Sequence, residues 1–373
     1  MAPRRKQQIS AKPQTTASKS ENVTSASKVK EEKNLLPIEL QQLILDHFTR
    51  AFPCPNPTDL KAQIQTVKGH LYNRDFVPAF SKPEYLDAYA LRWSAARALG
   101  YAELFASLSH SGGLSSLSSL SSRNADADAS LPSHIAGLDE ATSNQRQILC
   151  IGGGAGAELV ALCASTTTAP GSGHTATPRP PLSVTLLDIA NWSSVVSKLQ
   201  TALTTAPALS AYASATAKAS NAPLIEPSNL EMSFVQMDVL DPWDQALQAK
   251  VRGVGLVTIM FTLNELFGAS RAKTTGMLLN LSDWMHVGSE LLVVDSPGSY
   301  SQVGVGQSGE TKKYPMKFLL QHTLMEVAKG KWDLVFGEES RWFRVGENGK
   351  GEKLSYALEL ENMRYQVWLY RRV

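Results

Sequence analysis

Cysteine is scarce in this chain. The three present, Cys54, Cys150 and Cys163, form no CxxC pair. They build no disulfide framework, and a reducing intracellular compartment fits that usage. None has a His or Cys neighbour at zinc spacing, so no metal site is expected. Long apolar runs are missing too: no stretch approaches the ~20 residues that span a bilayer. The opening "MAPRRKQQISAKPQTT" is basic without the apolar core of a secretory signal. No membrane partner is therefore expected. Charged residues supply only 19% of the chain against 43% hydrophobic, a balance that excludes a wholly disordered protein. The net charge of +2 conceals an asymmetry: residues 1–33 hold eight Lys or Arg against Glu21, Glu31 and Glu32, a local +5 that leaves −3 for the rest. A basic, Ser/Thr-rich arm suits phosphate contact or nuclear import, and serves equally as a solubilising tail.

What is present falls into blocks. Residues 1–34 lack apolar periodicity and read as a disordered basic tail. From Leu35 the pattern becomes helical. "LLPIELQQLILDHFTRAF" places Leu36, Leu40, Leu43, Ile44 and Phe48 near one face. "DLKAQIQTVKGHLYNRDF" and "PEYLDAYALRWSAARALGYAELFASL" continue it, giving a helical lobe over 35–107. Residues 108–146 read as a Ser-rich linker, because Ser and Gly bury too little area to offset their ordering entropy.

Over 147–373 short apolar runs alternate with helical stretches, the pattern of a parallel sheet with crossover helices. Strands are expected at "ILCIG", "SVTLLD", "MSFVQMD", "GLVTIMF" and "SELLVVD". Helices are expected at "AELVALCAS", "WSSVVSKLQTAL", "DPWDQALQA" and "SRAKTTGMLLNLSDWMHV". A surface loop is inserted at about 165–181. The nearly unbroken apolar character suits strands covered on both faces. "WDLVFGEESRWFRV" and "SYALELENMRYQVWLYRRV" instead alternate like antiparallel strands. The fold class is α/β: five αβ units, then an antiparallel pair.

The stretch "ILCIGGGAGAELVALCA" puts a glycine turn between a strand and a helix. Gly152, Gly154 and Gly156 give G-x-G-x-G, and with Ala157 the G-x-G-x-x-A variant of a dinucleotide fingerprint. Such a turn aims backbone N–H groups at a ligand, whose close approach would exclude Cβ atoms. Acids at later strand ends extend the site. Asp188 can accept hydrogen bonds from both ribose hydroxyls, and Asp238 can face an adenine amino group. Asn264 and Glu265 follow the fourth strand and Asp295 ends the fifth. Acids at strand ends also serve as ordinary helix caps; jointly these residues line the crevice where open α/β sheets bind ligands.

"GGGAGAE", "LLDIANW", "MDVLD" and "FTLNELF", in this order and followed by a terminal antiparallel pair, resemble a class I S-adenosylmethionine-dependent methyltransferase. That resemblance implies a Rossmann-like seven-stranded, mostly parallel sheet with an antiparallel C-terminal hairpin, and S-adenosylmethionine as cofactor. It departs at Cys150, where such enzymes often carry an acid that contacts the cofactor amine, a role Glu158 could partly take. More of the chain, "LYNRDFVPAFSKPEYLDAYALRWSAARALGY", "KYPMKFLLQHTL", "ESRWFR" and "NMRYQVWLYRR" included, resembles the fungal family that methylates uridine N3 in 25S ribosomal RNA. This implies a ribosomal RNA partner and a nuclear or nucleolar location, with the cytoplasm as the alternative. A monomer is expected.

The residues bear on which atom is methylated. Carbon-5 methylation uses a cysteine, yet none follows Cys163; amino-group methylation commonly uses an (N/D)PP(Y/F/W) motif where this chain has "TLNELF". An imide nitrogen such as uridine N3 must lose a proton, and Glu265, Asn264 and Asp295 are the candidates to accept it or orient the base, Glu265 first. The Watson–Crick edge must be exposed for this, so an aromatic platform is needed. Tyr85, Tyr89, Trp93, Tyr300 and Trp342 are candidates, with Arg92, Lys312, Lys313, Lys317 and Arg344 for phosphates. Tyr89 and Trp93, four apart on a helix, also suit a core. The alternatives are a methyltransferase acting on protein or a small metabolite, and a nicotinamide-dependent oxidoreductase. Against the latter, Asp188 lies 36 residues beyond Gly152, where that fingerprint expects ~20, an excess for which the proline-rich insertion could account.

Overall fold

The computed structural model describes residues 35–54, 56–117, 146–166, 180–298, 300–305, 310–346 and 353–373, with backbone alone over 300–313. The basic tail, most of the Ser-rich linker and most of the expected loop insertion lie outside the described residues. The helices are α1 (Ile38–Ala51), α2 (Pro57–Tyr72), α3 (Phe76–Ala79), α4 (Pro83–Tyr89), α5 (Ala95–His110), α6 (Ala157–Thr166), α7 (Ser193–Thr204), α8 (Ala215–Ala219), α9 (Gln245–Gly253), α10 (Leu263–Ala269), α11 (Arg271–Trp284) and α12 (Met316–Gln321). The strands are β1 (Arg146–Ile151), β2 (Leu182–Asp188), β3 (Leu230–Gln236), β4 (Leu256–Met260), β5 (Glu290–Asp295), β6 (Tyr300–Val305), β7 (Glu310–Pro315), β8 (Trp332–Phe343) and β9 (Met363–Arg372).

Seven strands form one sheet in the order β3-β2-β1-β4-β5-β9-β8. β1 to β5 are parallel, and β9 runs antiparallel to both β5 and β8. All five parallel strands and the four expected helices between them form, with α9 starting four residues later than the sequence places it because Asp244 is its N-cap. Strand order reverses between β1 and β4, which opens a crevice at their carboxyl ends.

The alternation of side chains divides the sheet into two cores. Ile148, Cys150, Val184, Leu186, Leu292 and Val367 face one cluster with α1, α5, α6 and α7. Leu149, Ile151, Val257, Ile259, Val293 and Trp368 face the other, under α9, α10, α11 and α12. β4 and β5 are buried along their whole length, as strands covered on both faces must be. Of the first helix's expected face, Leu36, Leu40, Ile44 and Phe48 are buried, and Leu43 packs at the edge of the same core.

Three features depart from the pattern read in sequence. α10, the β6–β7 hairpin and α12 with its π-turn (His322–Val327) stand between β4 and β8. The hairpin "YSQVGV…ETKKYP" carries no clean polar–apolar alternation to announce it. The last strand begins only at Met363, because residues 353–362 pair with no strand.

The start of the Ser-rich segment is also packed. Leu114 and Leu117 are buried, and the backbone N–H groups and hydroxyls of Ser115 and Ser116 donate to Glu290 at 2.6–3.0 Å. Arg371 Nη2 adds a fifth bond at 2.9 Å. Ser and Gly cannot supply a core, but here they satisfy a carboxylate that is 0% exposed. Burial alone would raise the Glu290 pKa; the two serines outweigh it and hold the group below its ordinary value. Its stabilisation is therefore present above the unfolded carboxylate range and is lost as pH falls through the depressed folded pKa. We expect Glu290→Gln to cost about 3 kcal/mol at neutral pH and to flatten the acid limb of stability. Denaturant unfolding across pH checks this, and a loss below about 0.5 kcal/mol would contradict it.

Candidate active site

A cavity of about 890 Å³ opens at the carboxyl edge of the sheet, between the turn after β1, the ends of β2 to β5 and the helices α2 to α5. Gly152 and Gly156 have φ of +78° and +81°, which side chains rarely adopt. A Cβ would stand 2.1 Å from Thr262 Oγ1 at Gly152, 2.2 Å from Trp192 Cδ1 at Gly154 and 2.1 Å from Leu199 Cδ1 at Gly156. Neighbouring side chains occupy the Cβ directions. This corrects the expectation that an approaching ligand excludes side chains from the turn. The backbone of Gly152, Gly153 and Gly156 lines the cavity, and Gly154 does not.

Gly154 instead donates its N–H to Asp188 Oδ2 at 3.2 Å, while Ala190 N–H donates to Oδ1 at 3.1 Å. Each oxygen keeps lone pairs for a ligand. Burial pushes the Asp188 pKa up against these bonds. Asp238 sits half-buried in the cavity wall, with Leu240 N–H on its Oδ1 at 2.9 Å. Glu158 is buried and accepts from Thr258 Oγ1 at 2.7 Å. Its carboxyl lies beside Cys150: a Cβ on Gly153 would meet Cys150 Cβ at 2.7 Å and Glu158 Oε2 at 2.9 Å. Helix α6 thus brings an acid next to the position where Cys150 supplies none.

The far end of the cavity gathers Asn264, Glu265 and Asp295. Asp295 is 4% exposed and accepts from the N–H groups of Asn264 (2.9 Å) and Ser296 (2.8 Å). Burial raises its pKa to about 6 in spite of these bonds. Glu265 stands at the rim, 3.4 Å from Arg74 Nη1. Asn264 Oδ1 is buried without a partner. All nine expected site residues cluster here, eight on the cavity surface and Gly154 just behind it.

Sequence reasoning missed a cation. Tyr89, Trp93, Arg97 and Tyr101, each four residues apart, all line the cavity. An ideal α-helix would rotate successive members by about 40°; the wide π-turn at Ala90–Ser94 brings the stripe back into line. Arg97 Nη1 donates to Tyr89 Oη at 2.7 Å, and its guanidinium lies 5.0 Å from the Phe261 ring. Burial works against its charge, but Tyr89, Tyr101 and Asp295 outweigh it and raise the pKa. Phe261 itself has φ +54°, a strained turn from β4 into α10. Only the four-residue spacing could have revealed the stripe.

Of the proposed aromatic platform, Tyr89 and Trp93 reach the cavity, in a cluster with Phe80 and Trp192 at centroid distances of 5.1–5.6 Å. Tyr85 lies under Lys82, and Trp342 is exposed on β8. Arg92 pairs with Glu361, and Lys317 with Glu339. The side chains of Tyr300, Lys312 and Lys313 lie outside the described residues.

A family profile of SAM-dependent methyltransferases matches residues 48–371. This chain belongs to that family. It is also 33% identical over 327 residues, 83% of this chain and 78% of the relative, to the 25S rRNA (uridine(2843)-N(3))-methyltransferase of Saccharomyces cerevisiae. Among solved structures, a SAM-dependent methyltransferase from Methanosarcina mazei aligns over 62% of this chain and 93% of its own, at 11% identity and a TM-score of 0.35. The 16S rRNA (adenine(1408)-N(1))-methyltransferase of Catenulisporales acidiphilia aligns over 62% and 90%, at 12% and 0.35. The nicotinamide reading of the glycine spacing gives way to this membership.

The residues present fit the methyl donor. Backbone of the glycine turn, Asp188 with spare lone pairs, Asp238, the half-buried Arg97 cation and the orphaned Asn264 oxygen supply donors and acceptors for an adenosine bearing an amino acid. Glu158 carries a measurable signature: burial pushes its pKa up to about 8, against the Thr258 bond. The folded chain therefore binds this proton more tightly than the unfolded one, so stability falls as pH rises from about 4.3 toward 8. We expect Glu158→Gln to gain Tm relative to wild type over that window. Parallel wild-type and variant pH profiles would contradict the assignment.

Proposed function

We propose that this methyltransferase methylates N3 of a uridine in large-subunit ribosomal RNA. The observation that carries the reading is the similarity, over 83% of the chain, to a yeast enzyme named for that reaction. The cavity supports it. None of the three cysteines lines it, which removes the nucleophile of carbon-5 methylation, and its acceptor end holds two carboxylates and an amide.

S-adenosylmethionine supplies an electrophilic sulfonium methyl group. Asp188 would hold the ribose hydroxyls, Asp238 the adenine amino group, and the backbone of Gly152, Gly153 and Gly156 the chain between. Arg97 would pair with the carboxylate of the methionine moiety. At the acceptor end Asp295 takes the N3 proton. With a pKa raised to about 6 by burial, it is ionised at neutral pH yet more basic than an ordinary aspartate. Asn264 and Glu265 orient the uracil ring, the latter braced by Arg74. Phe80, Tyr89 and Trp93 wall the cavity with aromatic surface and exclude water. The basic segment at 1–33 would carry the protein to the nucleus or contact RNA; a nucleolar location follows from the proposed substrate.

Deletion of the encoding gene should remove one 3-methyluridine from large-subunit RNA, restored by the wild-type chain. Asp295→Asn should restore little, its rate in vitro being reduced by about 10²-fold or more. The wild-type rate should climb through about pH 6 and level off, and the variant should lack that limb. An unchanged 3-methyluridine map rejects the function; a variant with the wild-type pH profile rejects the role of Asp295.

A further inference from the structure

β9 leads from the cavity to an exposed aromatic. Asp295 is in register with Gln366, whose Nε2 donates to Ser296 O at 2.9 Å. Asp295 and Ser296 both line the cavity. β9 is antiparallel to β5, so its earlier residues run past the carboxyl edge where the cavity opens. Arg364 stands two residues further along, roughly 7 Å beyond the register of Asp295, and Trp342 is its partner one strand over, about 5 Å to the side.

There the indole of Trp342 is 50% exposed. The guanidinium of Arg344 lies 5.6 Å and that of Arg364 5.8 Å from its ring. The two arginines and the tryptophan are exposed, while Phe343 and Tyr365, on the opposite face, are 1% and 2% exposed. Those two rings anchor the strand ends, so the outward face is a firm platform. A register shift between Glu338 and Arg341 turns the end of β8, and Arg364 Nε is held on Ser340 Oγ at 2.9 Å.

We propose that Trp342, Arg344 and Arg364 form a docking surface for the single-stranded RNA that flanks the target nucleotide. Two guanidinium groups beside an exposed indole offer phosphate contacts and a stacking face together, the combination that holds unpaired nucleic acid. A position next to the cavity mouth lets one strand occupy both. This surface rests on the proposed RNA substrate and adds to it a place where the strand binds outside the cavity.

The test uses the full chain with Trp342→Ala and with the double variant Arg344→Gln/Arg364→Gln. Anisotropy measures binding of a single-stranded RNA bearing the target uridine, and calorimetry measures S-adenosylhomocysteine. We expect Trp342→Ala to weaken RNA binding roughly 5- to 100-fold. The double variant should reduce the slope of log affinity against log salt by about 1.4, at about 0.7 for each lost phosphate contact. Both variants should bind the nucleoside with wild-type affinity, which also shows that they are folded. RNA affinity and salt slope unchanged in both overturn the surface and leave the enzyme's substrate standing. Variants that lose binding to poly-glutamate but not to RNA assign the patch to an acidic protein and overturn it too. A wild-type chain that binds no RNA overturns surface and substrate together.

Discussion

The N–H of Gly154 bound to Asp188 Oδ2 joins the turn after β1 to the end of β2, and the cavity takes its shape from that junction. The bond fixes the carboxylate whose remaining lone pairs face the cavity. It also holds the turn in the conformation that Gly152 and Gly156 permit with positive φ. Trp192 packs into the space a Cβ would need at Gly154, and its ring continues into Phe80 and Tyr89. One short contact therefore couples the parallel sheet to the aromatic wall contributed by the N-terminal helices.

Buried charge is distributed to serve this site. Glu158, Asp188 and Asp295 all line the cavity, and burial raises the pKa of each. Three carboxyls in one low-dielectric region would repel if all were ionised. Arg97 lowers the pKa of Glu158 and Asp295, and the proton held by Glu158 relieves the rest. At the opposite edge of the sheet Glu290 meets five donors instead and keeps its charge. Glu158 and Glu290 are tuned in opposite directions by the number of hydrogen bonds each receives.

Much of this was legible in the sequence. Apolar runs of strand length separated by helical periods placed β1 to β5 and the helices between them, because both periodicities follow from burial. Asp188, Asp238 and Asp295 stood at strand ends, so a parallel sheet brings them to one edge. Other features depend on contacts between distant residues. Ser115 and Ser116 looked like linker until Glu290, 174 residues later, supplied an acceptor. Arg97 and Tyr101 joined the site only because a π-turn realigned a four-residue spacing. The glycines were correctly marked as places without room, but the room is taken by Thr262, Trp192 and Leu199, which no local pattern connects to them.

The glycine turn, Asp188 and Asp238 would close around one adenosine-bearing ligand, and calorimetric titration with S-adenosylhomocysteine measures that directly. The wild-type chain should bind one equivalent, and a folded Asp188→Ala chain should bind roughly 10- to 100-fold more weakly, the loss expected for a charged hydrogen-bond acceptor. Equal affinity in the two, with the variant's unfolding transition intact, would contradict the assignment of this cavity to the methyl donor.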